Sequence, residues 1–209
     1  MNRENYTSLI EEISNAITHG LGTIAGIVGL VFLILKALYQ GGNYRFWSLL
    51  IFGTTLIFLY LASTLYHSLI FTKASKVFKK IDYIAISLFI AGTYTPIALI
   101  PMRHQHGPLL LSIIWILTIA NITWQFVGKK KELVSLILYL ITGWTMMLFI
   151  KPLSHEVSQT ALIFLILGGV FYTIGTIFYR WNKLVFNHTI WHIFVILGTV
   201  CHFLTIMRV

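Results

Sequence analysis

The sequence predicts an all-α integral membrane protein, a bundle of seven transmembrane helices preceded by a short N-terminal interfacial helix. Three observations carry this. Of the 209 residues, 57% are hydrophobic and 10% charged, more apolar surface than a soluble domain of this size can hide. The apolar residues gather into seven segments, 20–38, 46–71, 81–102, 108–127, 133–150, 160–178 and 189–207, each near the ~20 residues that cross a bilayer. These segments are apolar all round, whereas the strands of a membrane barrel alternate over only ~10 residues. The connections are short, so residues 1–209 read as a single seven-helix domain.

The interfacial helix is expected over residues 9–18. Ser8-Leu9-Ile10-Glu11 fits a capping box, the serine accepting from the backbone three residues on while the glutamate reaches back. Glu12, Asn15 and His19 fall at i, i+3 and i+7, on one helical face. The helix is expected at or just inside the cytoplasmic interface, and the plainer reading of the face is an ordinary amphipathic lead-in. Glu11-Glu12 ahead of the first apolar segment, with no basic n-region, argues against a signal peptide.

The first span carries Gly22 and Gly26, a small-xxx-small pattern that lets helices approach closely. The second places His67 near its end. The third opens on Asp82 and carries Pro96, which is expected to bend it. Apolar length alone defines the fourth and fifth. In the sixth, Gly168, Gly169 and Gly175 read the same way as Pro96, as a bend. The seventh begins with His188 and His192, and His202 lies toward its far end, too distant to join them. Tyr44, Trp47, Tyr179 and Trp181 near segment ends fit interfacial aromatic belts. Cys201 is the single cysteine, which excludes an internal disulfide and any cysteine-based zinc motif. No inverted repeat suggests a transporter, and no arginine series suggests a voltage sensor.

The net charge of +9 is a topology signal. Arg3, Lys73, Lys76, Lys79, Lys80, Lys129, Lys130, Lys131, Arg180 and Lys183 fall on one side of the membrane. Lys36, Arg45, Arg103, Lys151 and Arg208 fall on the other. Positive charge accumulates in the cytoplasm, so the N-terminus is expected inside and the C-terminus outside. The excess is also suited to touching anionic lipid. This distribution gives no support to nucleic-acid binding.

Topology then serves as a depth gauge. His67 ends a span running inward, while Asp82, His188 and His192 begin spans running outward. All four are expected at the cytoplasmic level. Ionisable groups in a membrane are costly and mark function. Neutral imidazoles are good zinc ligands, and a catalytic zinc site has three protein ligands and one open position. His188 and His192, at i and i+4, face the same way, and His67 supplies a third point. Zn2+ bound there would lower the pKa of a water to about 7. Asp82 would act as general base, and Ser63, four residues before His67, would assist. The competing readings are interior histidines satisfied by neighbours and an Asp82 paired with Lys79 or Lys80. His104, His106 and His155 belong to outer connections and are expected to be solvated.

Glu12-x-x-Asn15-x-x-Thr18-His19-Gly20, Ser63-Thr-Leu-Tyr-His67, Asp82-Tyr83 and His188-x-x-x-His192 together resemble the haemolysin III branch of the progestin and adipoQ receptor family. They occur in the family's order, and the seven-span layout covers the whole chain. The resemblance implies zinc held by His67, His188 and His192, with Ser63 and Asp82 beside it. It also implies an N-terminus inside, opposite to the G-protein-coupled receptors. Glu12, Asn15 and His19 would then orient ligands from behind. Wider kinship with alkaline ceramidases implies hydrolysis of lipid amides, whereas the branch name implies a haemolytic, pore-forming activity. The short tail resembles bacterial members in a cell membrane rather than hormone receptors.

Three functions are therefore expected in descending order: a zinc-dependent lipid amide or ester hydrolase, a pore-forming cytolysin with structural zinc, and a receptor-like protein. The expected partners are membrane lipids. A homo-oligomer is compatible with the sequence, a pore between protomers among its forms, and no soluble protein partner is evident.

Overall fold

In a computed structural model, residues 3–127 and 132–209 are described, with side chains from residue 8 onward. The helices are α1 (Arg3–Gln40), α2 (Asn43–Ser68), α3 (Ser75–Leu99), α4 (Gly107–Val127), α5 (Glu132–Trp144), α6 (Ile150–Glu156), α7 (Gln159–Arg180) and α8 (Asn187–Ile206), with a 3₁₀ segment, Thr145–Phe149, between α5 and α6. No strand occurs among the described residues. Among the described residues, seven stretches are long and apolar enough to cross a membrane, the fifth being 132–156. The chain is a multi-pass membrane protein with the predicted architecture. Lys129, Lys130 and Lys131 of the charge argument lie outside the described residues.

Two boundaries differ from the sequence expectation. The lead-in and the first span form one continuous helix, α1, which begins upstream of Ser8. Residues 4–7 contain neither Gly nor Pro, so nothing halts propagation past the capping-box serine, which then lies inside the helix. The fifth span is interrupted: α5 passes at Trp144 into the 3₁₀ segment before α6 resumes. Tyr94 of α3 bridges this interruption. Its hydroxyl donates to Gly143 O at 2.7 Å and accepts from Met146 N at 2.9 Å, serving backbone groups freed by the change in helical pitch. Pro96 falls in the last turn of α3.

α1 packs beside α2 and α8, α2 beside α3, α3 beside α4, and α7 beside α8, while α3 also touches α5 and α8. α3 is the most enclosed span, and its inner residues Ala85, Phe89, Ala91 and Ile97 meet Phe52 and Leu56 of α2 in the core. Lipid is as apolar as these side chains, so close packing rather than water exclusion holds the helices together. Glycines make that packing available. A Cβ at Gly22 would lie 2.8 Å from the Tyr60 ring and one at Gly26 3.3 Å from Ile57, which places the small-xxx-small face against α2. The outer face of α1 exposes Ile17, Leu21, Ile24, Val28 and Leu35, a lipid-facing stripe. The α1–α2 turn uses Gly41 and Gly42 at φ 71° and 93°, where a side chain would be strained.

Candidate metal centre

The three predicted ligands converge. His67 closes α2, and His188 and His192 occupy successive turns at the start of α8. Their ring centroids are 4.7 to 5.0 Å apart, and one ligand atom from each lies within 4.8 Å of the others. The chain enters α8 through Phe186 in the left-handed region, at φ 60°. That conformation is uncommon for a bulky side chain, and it immediately precedes the turn that presents His188.

α1 orients this cluster from behind. The Nδ1 of His67 lies 2.6 Å from Glu12 Oε2. A carboxylate can only accept here, so Nδ1 carries the proton and Nε2 is left as a lone pair. That Nε2 is buried and has no hydrogen-bond partner. The Nδ1 of His192 lies 3.2 Å from Thr18 Oγ1. The Thr18 hydroxyl donates to the carbonyls of Ser14 and Asn15, so it accepts from His192 and again frees Nε2. Thr189 Oγ1 donates to Asn15 Oδ1 at 2.6 Å, tying the residue after His188 to the same face of α1. His19 stacks on His192, with centroids 3.5 Å apart and planes 8° from parallel.

Three imidazoles from two helices, two of them fixed with Nε2 free, match a metal donor set with its carboxylate and hydroxyl supports. The residues present fit a metal ion. The reading of these histidines as satisfied by neighbours fails at His67, whose Nε2 is orphaned.

Asp82 and Ser63 are buried and line a cavity of about 140 Å³ together with His19, His188 and His192. The Ser63 hydroxyl faces the Asp82 carboxyl. The alternative pairing of Asp82 with lysine is not formed. Lys79 Nζ instead bonds Glu132 Oε1 at 2.8 Å, and Lys80 Nζ sits 4.6 Å over the Phe126 ring. Asp82 is therefore a buried carboxyl without an ion pair among the described residues, facing the same space as two of the histidines.

Other expectations resolve individually. His104, His106 and His155 are exposed, as are Tyr44, Trp47 and Trp181. Tyr179 is not an interfacial belt residue. It packs on the His188 ring at 5.6 Å and lines the cavity, because the last turn of α7 stands beside the first turn of α8. His202 lies outside the histidine cluster but faces the same cavity. Sequence reasoning gave no role to Thr18 or Thr189. Thr18 stands three residues after Asn15 on one face, a spacing that signals shared function; Thr189 offers no signal beyond its adjacency to His188.

Comparison with known proteins gives the family. The model of the family described as "Haemolysin-III related" matches residues 7–203. The chain is 43% identical over 198 residues to "Hemolysin-3 homolog" of Bacillus subtilis (strain 168), covering 94% of this chain and 93% of that one. It is 41% identical to "Hemolysin-3" of Bacillus cereus, over 94% and 90% respectively. It is also 26% identical over 208 residues to the human "Monocyte to macrophage differentiation factor", over 95% and 84%. The matched region contains every residue of the centre, and the chain belongs to the haemolysin-III-related family, the haemolysin III branch of the progestin and adipoQ receptor proteins.

Proposed function

We propose that the protein is a zinc-dependent hydrolase of a lipid amide or ester, with its centre near the cytoplasmic face. The observation that supports it best is Asp82, a buried carboxyl that has no ion pair among the described residues and shares a cavity with His188 and His192. A purely structural metal has no use for such a group, and a buried charge without a partner is costly.

His67, His188 and His192 hold the ion. A zinc ion with an open position acts as a Lewis acid and activates water at neutral pH. Asp82 takes the proton from a water molecule in the cavity, and Ser63 steadies the carboxyl. Glu12 and Thr18 keep two imidazoles in the tautomer that presents Nε2. Ile86, Phe89, Ile90, Leu140 and Val195 give the cavity apolar walls, which suit an acyl chain and exclude bulk water from the site. A level near the membrane surface suits a lipid whose polar linkage sits there while its tails remain in hydrocarbon.

The names of the Bacillus relatives support a second reading, a pore-forming cytolysin in which zinc is structural. The apolar lining of the cavity does not favour it, since a conducting lumen needs polar groups along its length. The test is to incubate wild-type and Asp82→Asn protein with a membrane lipid extract. Fatty acid release is followed by mass spectrometry and liposome dye leakage in parallel. Release by the wild type that falls about 10²–10⁴-fold in the variant is expected from loss of a general base. Leakage by both proteins without release overturns the hydrolase.

A further inference from the structure

The cavity has a second polar point, far from the metal centre. His202 lies ten residues beyond His192 on α8, about 15 Å further along the helix, and lines the same cavity. Its Nε2 is 3.2 Å from Leu165 O of α7. A carbonyl can only accept, so Nε2 carries the proton, and in the neutral ring Nδ1 is an acceptor. The ring is held by its Cδ2–Nε2 edge: a Cβ at Gly168 would collide with those two atoms. The opposite edge, bearing Nδ1, is thereby turned away from α7.

The other polar groups at this depth are already engaged. Tyr94 Oη donates to Gly143 O and accepts from Met146 N. Trp144 Nε1 donates to Thr173 Oγ1 at 3.0 Å. Tyr172 Oη and Thr199 Oγ1 lie 2.9 Å apart. Nδ1 of His202 is the acceptor left without a partner among the described residues that line the far end. The lining is predominantly apolar, and the hydroxyls of Thr93 and Thr173 within it already donate to carbonyls of their own helices.

We infer that His202 reads a hydroxyl carried along the chain of the bound lipid, and that the protein prefers hydroxylated acyl chains over plain ones. This rests on the lipid-hydrolase reading, which places the carboxyl end of the chain at the histidine cluster. The 15 Å offset then corresponds to about twelve bonds of an extended chain, each advancing roughly 1.2 Å. A hydroxyl there donates to Nδ1, whereas a hydroxyl halfway along lies against mostly apolar wall and gains less in return for its lost water.

The experiment uses purified, zinc-loaded protein and displacement of a fluorescent fatty acid. The probes are octadecanoate, 12-hydroxyoctadecanoate and 6-hydroxyoctadecanoate. The 12-hydroxy acid is expected to bind about three- to tenfold tighter than octadecanoate, the range of one net hydrogen bond, and the 6-hydroxy acid more weakly than octadecanoate. His202→Phe should keep octadecanoate binding and lose the 12-hydroxy advantage, while His202→Gln, which retains an acceptor, should recover part of it. Equal binding of octadecanoate and its 12-hydroxy derivative overturns the role of His202 and leaves the lipid reading standing. Binding of none of the three overturns both. The comparison of isomers on the wild type decides the matter even where a His202 variant does not fold.

Discussion

Glu12 Oε2 lies 2.6 Å from the Nδ1 of His67 across 55 residues of chain, so the first helix, which is not among the converging histidines' helices, fixes the proton of a candidate ligand on the second. Carboxylate partners of this kind set the tautomer and raise the basicity of the coordinating nitrogen, and their loss typically lowers metal affinity 10–100-fold. Glu12→Gln should weaken zinc by about that range, since the amide oxygen still accepts but carries no charge. Glu12→Ala should weaken it further, because His67 is then free to present either nitrogen. Competition against a chromophoric zinc chelator in detergent measures both. Affinity unchanged in Glu12→Ala would remove Glu12 from the site.

Metal content separates ligands from neighbours. The converging atoms belong to His67, His188 and His192, and Asp82 is not among them. Wild type and Asp82→Asn should each hold about one zinc per chain by elemental analysis, and the double variant His188→Ala, His192→Ala close to none, because a single remaining imidazole cannot close a zinc site. Zinc retained in the double variant would sink the assignment. Zinc lost from Asp82→Asn would make the carboxylate a ligand rather than a base.

The seven spans and the level of the site were legible because a bilayer leaves few choices: backbone groups must pair within helices, and ionisable residues stand out against hydrocarbon. His67, Asp82, His188 and His192 could be placed together from segment ends alone. What could not be read was local. Whether Asp82 meets Lys79 depends on which face of α3 turns inward and on Glu132 arriving from α5 to claim the lysine. The 3₁₀ segment after Trp144 has no Pro to announce it, and its stabiliser, Tyr94, comes from another helix. Tyr179 reads as a belt residue because it ends a span, and only the packing of α7 on α8 turns it onto His188.

Orientation rests on the asymmetry of Lys and Arg, and labelling tests it directly. In a Cys201→Ser background, a cysteine substituted for Lys76, near the start of α3, should react with an impermeant maleimide only after the membrane is opened. A cysteine replacing Arg103, in the exposed turn before α4, should react in intact cells. The reverse pattern would place the histidine cluster at the outer face and remove the argument for a cytoplasmic-side substrate.

Packing between α1 and α2 should be felt at the metal centre, although Gly22 touches none of its ligands. A Cβ at Gly22 would sit 2.8 Å from the Tyr60 ring, and Tyr60 is almost fully buried, so it has little room to yield. The edge of Tyr60 meets the ring of His19 at a centroid distance of 5.0 Å. His19 in turn stacks on His192. In Gly22→Val the branched side chain must displace Tyr60 or part the helices, and overpacking of this kind costs about 1–3 kcal/mol. The thermal transition in detergent should therefore fall, and zinc affinity should fall with it, because the stack that holds His192 loses its backing. Gly41→Ala offers the contrast. Nothing lies within 4 Å of its Cβ, so only backbone strain at φ 71° remains; it should lower stability while leaving affinity intact. Equal zinc affinity in Gly22→Val and wild type, with a lowered transition, would show that Tyr60 and His19 do not transmit packing to the ligands.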